Sequence, residues 1–194
     1  MQDFWFYIQL GLQHVLDLDA YDHILFLAAL AVPFTFKNWK QVVILATVFT
    51  IAHCASLAFS VYGIFSVDVG LIEFLIPVTI ALTALYNFLR IFKEESITGI
   101  YFQALATAFF GLIHGFGVSN YFKMLMAEEE HKLGPLLGFA TGIELSQVTI
   151  ILLVLVLAYI VQQVFKVKQS IFIGVTSIII FLITIPMLIA TFPN

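Results

Sequence analysis

The sequence predicts an all-α bundle of six membrane-crossing helices, preceded by a short N-terminal helix lying in the membrane interface. Three observations carry this. Of the 194 residues, 62% are hydrophobic and only 10% are charged, against about 45–50% and about 25% in a soluble domain. The mean hydropathy is +1.07. All eight basic residues (Lys37, Lys40, Arg90, Lys93, Lys123, Lys132, Lys166 and Lys168) fall in short polar gaps between apolar runs. Those runs lack the two-residue alternation of a barrel strand. This composition excludes a disordered chain and an ordinary soluble enzyme. The net charge of −4 leaves no basic surface for nucleic acid.

The elements follow in order. Residues 1–19 open with an apolar, aromatic stretch from Asp3 to Leu16 that is too short to cross, so it is read as interfacial or re-entrant. Six spans follow, at about 20–36, 40–62, 68–91, 98–120, 135–163 and 169–192. Each is near the ~20 helical residues a bilayer core requires, and the fifth is long enough to tilt. No Lys or Arg precedes the first apolar stretch, so no cleaved signal peptide is expected. The single cysteine, Cys54, rules out an intrachain disulfide. There is no linker, low-complexity tract or internal repeat, so residues 1–194 are read as one domain.

Charge sets the orientation. The gaps at 37–40, 90–97 and 164–168 hold six of the eight basic residues, while the 121–134 loop dilutes its two with Glu128, Glu129 and Glu130. The positive-inside rule puts the basic gaps in the cytoplasm, with both termini and the 121–134 loop outside.

Ionisable groups within the spans are the candidates for function, because each costs ~2.5–3.5 kcal/mol or more at membrane depth. They are Asp22 and His23 in the first span, His53 in the second, Glu73 in the third, His114 in the fourth and Glu144 in the fifth. His14, Asp17 and Asp19 lie just before them. Counted along each span, the five spans place these groups within ~13 Å of the outer face. No Lys or Arg lies at that depth. Carboxylates buried without a basic partner hold a proton or bind a cation. Imidazoles beside carboxylates form a ligand set for a divalent transition metal: nickel, cobalt or zinc rather than calcium or magnesium.

Helical spacing supports a shared interior face. Gln103, Thr107, Gly111 and His114 recur every three or four residues, as do Thr50, His53 and Ser56, and Thr141, Glu144 and Gln147. Gly111-x-x-x-Gly115 and Gly138-x-x-x-Gly142 are expected to let neighbouring helices approach closely. Gly117 is expected to loosen the helix beside His114, and Pro77 to bend the helix below Glu73.

At these residues the chain resembles the HupE/UreJ family of membrane proteins, associated with hydrogenase and urease gene sets. The matching stretches are GLQHVLDLDAYDHILFLAAL, FTIAHCASLAF, IEFLIPVTIAL, FGLIHGFGV and GFATGIELSQ, spread over about residues 8–160. The family's motif positions fall on His14, Asp22, His23, His53, Glu73, His114 and Glu144. The first motif departs from the family pattern. Ala20 stands near a usual glycine, and the longer gap after His14 carries Asp17 and Asp19 as additional carboxylates. The resemblance implies a multi-pass bacterial inner-membrane protein handling nickel or a similar metal, with metalloenzyme-maturation factors as partners.

Two functions remain open at this point. One is a divalent transition-metal permease with His14, Asp22, His23, His53, Glu73, His114 and Glu144 as ligands, ligand orienters or proton exchangers. A difficulty for this reading is that a conduction path needs inner polar stations. The inner half offers only the weak set Gln41, Thr47, Thr79, Thr83, Asn87, Gln103 and Thr107, in which Thr79, Thr83 and Asn87, with Thr107 opposite, would form a thin polar track. The other is an intramembrane metal-dependent hydrolase of the zinc type, acting on a lipid or lipid-anchored substrate, with Glu73 or Glu144 as general base.

Overall fold

A computed structural model describes residues 2–65, 67–92, 100–127, 129 and 131–193. Among these residues the fold is helical throughout: α1 (Gln2–Leu16), α2 (Asp22–Ala31), α3 (Trp39–Val61), α4 (Val69–Arg90), α5 (Ile100–Gly117), α6 (Ser119–Leu125), α7 (Leu133–Tyr159) and α8 (Gln169–Ala190). A 3-10 turn leads into α3 and a π-helical stretch, Ile160–Val164, extends α7. Four of the helical segments are long and apolar enough to cross a membrane: Phe36–Val61, Val69–Arg90, Leu133–Val164 and Gln169–Ala190. These coincide with the second, third, fifth and sixth expected spans. The fourth expected span is α5, whose 18 described residues end at Gly117. The expectation that Gly117 loosens this helix is met, since the chain restarts as α6 at Ser119.

The first expected span requires correction. No continuous helix covers 20–36, because α2 has only 10 residues, a rise of ~15 Å. Pro33 follows at once and cannot continue the hydrogen-bond ladder. Nor does α1 lie apart as an interfacial helix, since it packs along α7. A Cβ on Gly138 would stand 2.9 Å from the Phe4 carbonyl oxygen, and one on Gly142 would collide with that of Ile8. One turn further on, Ser146 donates to the Leu12 carbonyl at 3.3 Å. The two helices therefore run parallel. α2 continues in the same direction, until Val32 packs with Ala158 and Phe172. Together α1 and α2 follow α7 from Gly138 to Ala158, a length of ~30 Å.

The sequence explains the break between them. Asp17, Asp19 and Asp22 crowd the junction, and the Asp17 carboxylate accepts the Asp19 backbone N–H at 2.9 Å. Such local side-chain bonds compete with the helical ladder. At its far end α2 is tied down twice. Asn87 Nδ2 donates to the Ala29 carbonyl at 2.6 Å and Gln169 Nε2 to that of Pro33 at 3.1 Å, which satisfies carbonyls that the helix end leaves open.

The second close pair is α3 with α5, also parallel. Gly111 faces Phe49, and a Cβ on Gly115 would run into the His53 carbonyl oxygen and Ser56. Both Gly-x-x-x-Gly pairs thus do what their spacing predicts, by letting two backbones meet. The core between these pairs is built on fully buried Phe26, Phe49, Leu45, Leu57, Ile143 and Ile151.

Candidate metal centre

The break between α1 and α2 brings His14 and His23 together, with ring centroids 4.5 Å apart. His53 on α3 completes a triangle at 5.7 Å from His14 and 5.8 Å from His23. One ring nitrogen from each of the three lies within 4.8 Å of the other two. His114 on α5 joins from below, 5.3 Å from His23. Three histidines from three helices therefore share one interior point, and His114 from a fourth helix packs beside them. His23, His53 and His114 are buried, and His14 is partly open.

Hydrogen bonds set two of these rings. Asp22 Oδ1 lies 3.1 Å from His23 Nδ1, and the Phe110 carbonyl oxygen lies 3.0 Å from His114 Nδ1. A carbonyl only accepts, as does an ionised carboxylate, so Nδ1 of each ring carries the proton and Nε2 keeps its lone pair. Those lone pairs find no partner among the described residues. The buried, unpartnered ring atoms are Nε2 of His14, His23 and His114 and both nitrogens of His53. Buried polar atoms are nearly always bonded, and one ring nitrogen from each of His14, His23 and His53, all within 4.8 Å of one another, is what an imidazole-binding cation would satisfy. The donor set fits nickel, cobalt or zinc.

The surroundings are aromatic. Phe139 packs at 5.6 Å from His14, Phe49 at 5.2 Å from His114 and Phe26 at 5.4 Å from His114. Such a shell excludes water and strengthens charge interactions inside it. Access runs through His14. An open cleft of about 680 Å³ is lined by Gln13, His14, Asp17, Leu18, Tyr121 and Phe139. Non-helical backbone at membrane depth is tolerated where it lines such a cavity, which accounts for the exposed turn at Asp17–Ala20.

Two of the sequence candidates stand elsewhere. Glu73 is exposed on α4. Glu144 is half-buried on α7 and accepts hydroxyl bonds from Thr47 and Thr50 of α3, each at 2.6 Å. Gln147 joins the same network, accepting from Thr50 at 3.2 Å. Neither carboxylate belongs to the close histidine group. Asp19 and His131 are exposed, and Glu128 and Glu130 lie outside the described residues. Glu129 accepts the Tyr7 hydroxyl at 3.0 Å, which pins the 121–134 loop to α1.

Sequence reasoning missed the aromatic shell and the Thr47–Glu144 contact. Thr47, Thr50 and His53 recur every third residue, so the signal for a continuous polar edge on α3 was present. Among so many phenylalanines nothing distinguished Phe26, Phe49 and Phe139.

Fold and site define a helical membrane protein with a buried polyimidazole centre at a helix break. The chain belongs to the HupE/UreJ family, whose model, described as HupE / UreJ protein, matches residues 1–191. No curated protein matches the chain, and no solved structure does.

Proposed function

We propose that the chain is an uptake protein for a divalent transition metal of the nickel or cobalt type, with the histidine centre as its capture site. The observation that carries this is the convergence of one ring nitrogen each from His14, His23 and His53 at the α1–α2 break, where Nε2 of His14 and His23 has no partner among the described residues. His14, His23, His53 and His114 would hold the cargo ion, while Asp22 and the Phe110 carbonyl orient two of the rings. Family membership supports a metal-handling role in the membrane.

In this reading α1 and α2 form one discontinuous crossing. Broken helices that carry an ion site near the membrane midplane are a recurring device of transporters. The distribution of basic residues puts the cleft, both termini and the Tyr121 end on the outer side of the inner membrane. The ion enters by the cleft, meets His14 first and passes to His23 and His53.

Reconstitution in liposomes tests the proposal. Uptake of nickel, cobalt and zinc is read by elemental mass spectrometry of the vesicle lumen, for the wild type and for His53→Ala. Nickel or cobalt uptake that His53→Ala abolishes is the expected result. Metal held tightly with no flux would overturn it and move the reading to a zinc-type hydrolase.

A further inference from the structure

A second cavity lies beyond the histidine centre, on the side away from the cleft. It has a volume of about 330 Å³ between α2, α4 and α5. Its walls are mostly apolar, with Phe26 and Phe110 toward the histidines, and Thr83 and Asn87 of α4 and Gln103 and Thr107 of α5 supply its polar groups. Asn87 is three residues from the end of α4 and Gln103 three from the start of α5. The Asn87–Gln103 end of the cavity therefore sits within ~5 Å of those helix ends, and the cavity reaches ~15 Å inward to Phe110.

Its donors are neutral oxygens. Gln103 Oε1 is buried and has no partner among the described residues. Asn87 commits its Nδ2 to the Ala29 carbonyl, so the atom it can offer a cation is Oδ1. The Thr83 hydroxyl donates to the Thr79 carbonyl at 2.8 Å and keeps its lone pairs. Amide and hydroxyl oxygens bind nickel, cobalt or zinc more weakly than imidazole does. A path that must also let go of its ion needs such a weaker station after the tight one.

One aromatic layer separates the two sites. The Phe26 ring is fully buried, lines the cavity and lies 5.4 Å from His114. It is held by Phe49 at 4.9 Å and Phe110 at 5.9 Å.

We propose that this cavity is a release station for the cargo cation, formed by the four polar side chains within it, and that the Phe26 ring is the barrier between it and the histidine centre. The proposal rests on reading that centre as the capture site. Rotation of one phenyl ring, rather than movement of whole helices, then joins the two compartments.

Thiol accessibility tests it without requiring transport. In a Cys54→Ser background, Thr83→Cys is exposed to a small, membrane-impermeant cationic methanethiosulfonate in sealed vesicles of either orientation. Modification is expected only from the side where α4 ends. Cobalt added on that side slows it several-fold, and Gln103→Leu removes this protection. Adding Phe26→Ala, or Phe26→Leu should the smaller side chain prevent folding, opens Thr83→Cys to reagent from the cleft side as well. A thiol that reacts only with a membrane-permeant maleimide, as in a groove filled by lipid tails, overturns the proposal, and so does one already open to both sides. The metal content of the same preparations separates the two readings. Bound metal with an unreactive Thr83→Cys refutes the release station alone, whereas no bound metal refutes the capture site.

Discussion

The Asp22 carboxylate lies 3.1 Å from Nδ1 of His23, so the ring's other nitrogen is the basic one and is buried with no partner among the described residues. Asp22 thereby acts through His23 rather than as a free charge. Asp22→Asn keeps the shape and loses the charge, and an amide can present the wrong group to Nδ1. Loss of such an orienting carboxylate costs ~10–100-fold in metal affinity. Competition titration against a chromophoric chelator measures it, and an unchanged affinity would remove Asp22 from the site.

Metal binding is also expected to depend on pH with a definite sign. Imidazole ligates only through an unprotonated nitrogen, so protons and metal compete. With four histidines at the centre, affinity falls as the medium is taken from neutral to acidic. Equilibrium dialysis against nickel over that range checks the direction. Binding that is level or rises on acidification would point to oxygen ligands instead.

The glycines that close α5 onto α3 and α1 onto α7 are expected to control stability. A Cβ at Gly115 would run into the His53 carbonyl oxygen, whereas one at Gly134 meets nothing within 4 Å. Gly115→Val should destabilise by about 1–3 kcal/mol, the usual cost of overpacking, and displace His53. Gly134→Ala should melt like the wild type. Thermal melts in detergent, with metal content measured in parallel, distinguish the pair.

Glu144 and Glu73 are expected to be dispensable for metal retention. Glu144 spends its oxygens on Thr47 and Thr50, and Glu73 is exposed on α4. Glu144→Gln and Glu73→Gln should each keep the wild-type metal stoichiometry, while His53→Ala loses it. A carboxamide variant that came off the column empty would return that carboxylate to the ligand set.

Much of this architecture was legible in the sequence because membrane helices are written in composition. The ends of α3, α4, α7 and α8 fall within a few residues of the polar gaps that predict them. His23, His53 and His114 were found because an ionisable group in a lipid-facing span is costly. The α1–α2 region was misread because the apolar run at 20–36 continues through Pro33, past the end of α2 at Ala31, and hydropathy cannot tell that two pieces are stacked along α7. Glu144 was grouped with the histidines by depth, by the polar stripe of Thr141, Glu144 and Gln147 and by the family resemblance. Depth fixes level, not azimuth, and its azimuth turns it toward Thr47.

The central claim is that the histidines form a metal site. The most direct test is X-ray absorption at the nickel edge of the loaded, detergent-purified protein. Three or four imidazole nitrogens around the ion, reduced in His53→Ala, are predicted. A shell of oxygen or sulfur alone, unchanged in that variant, would contradict it.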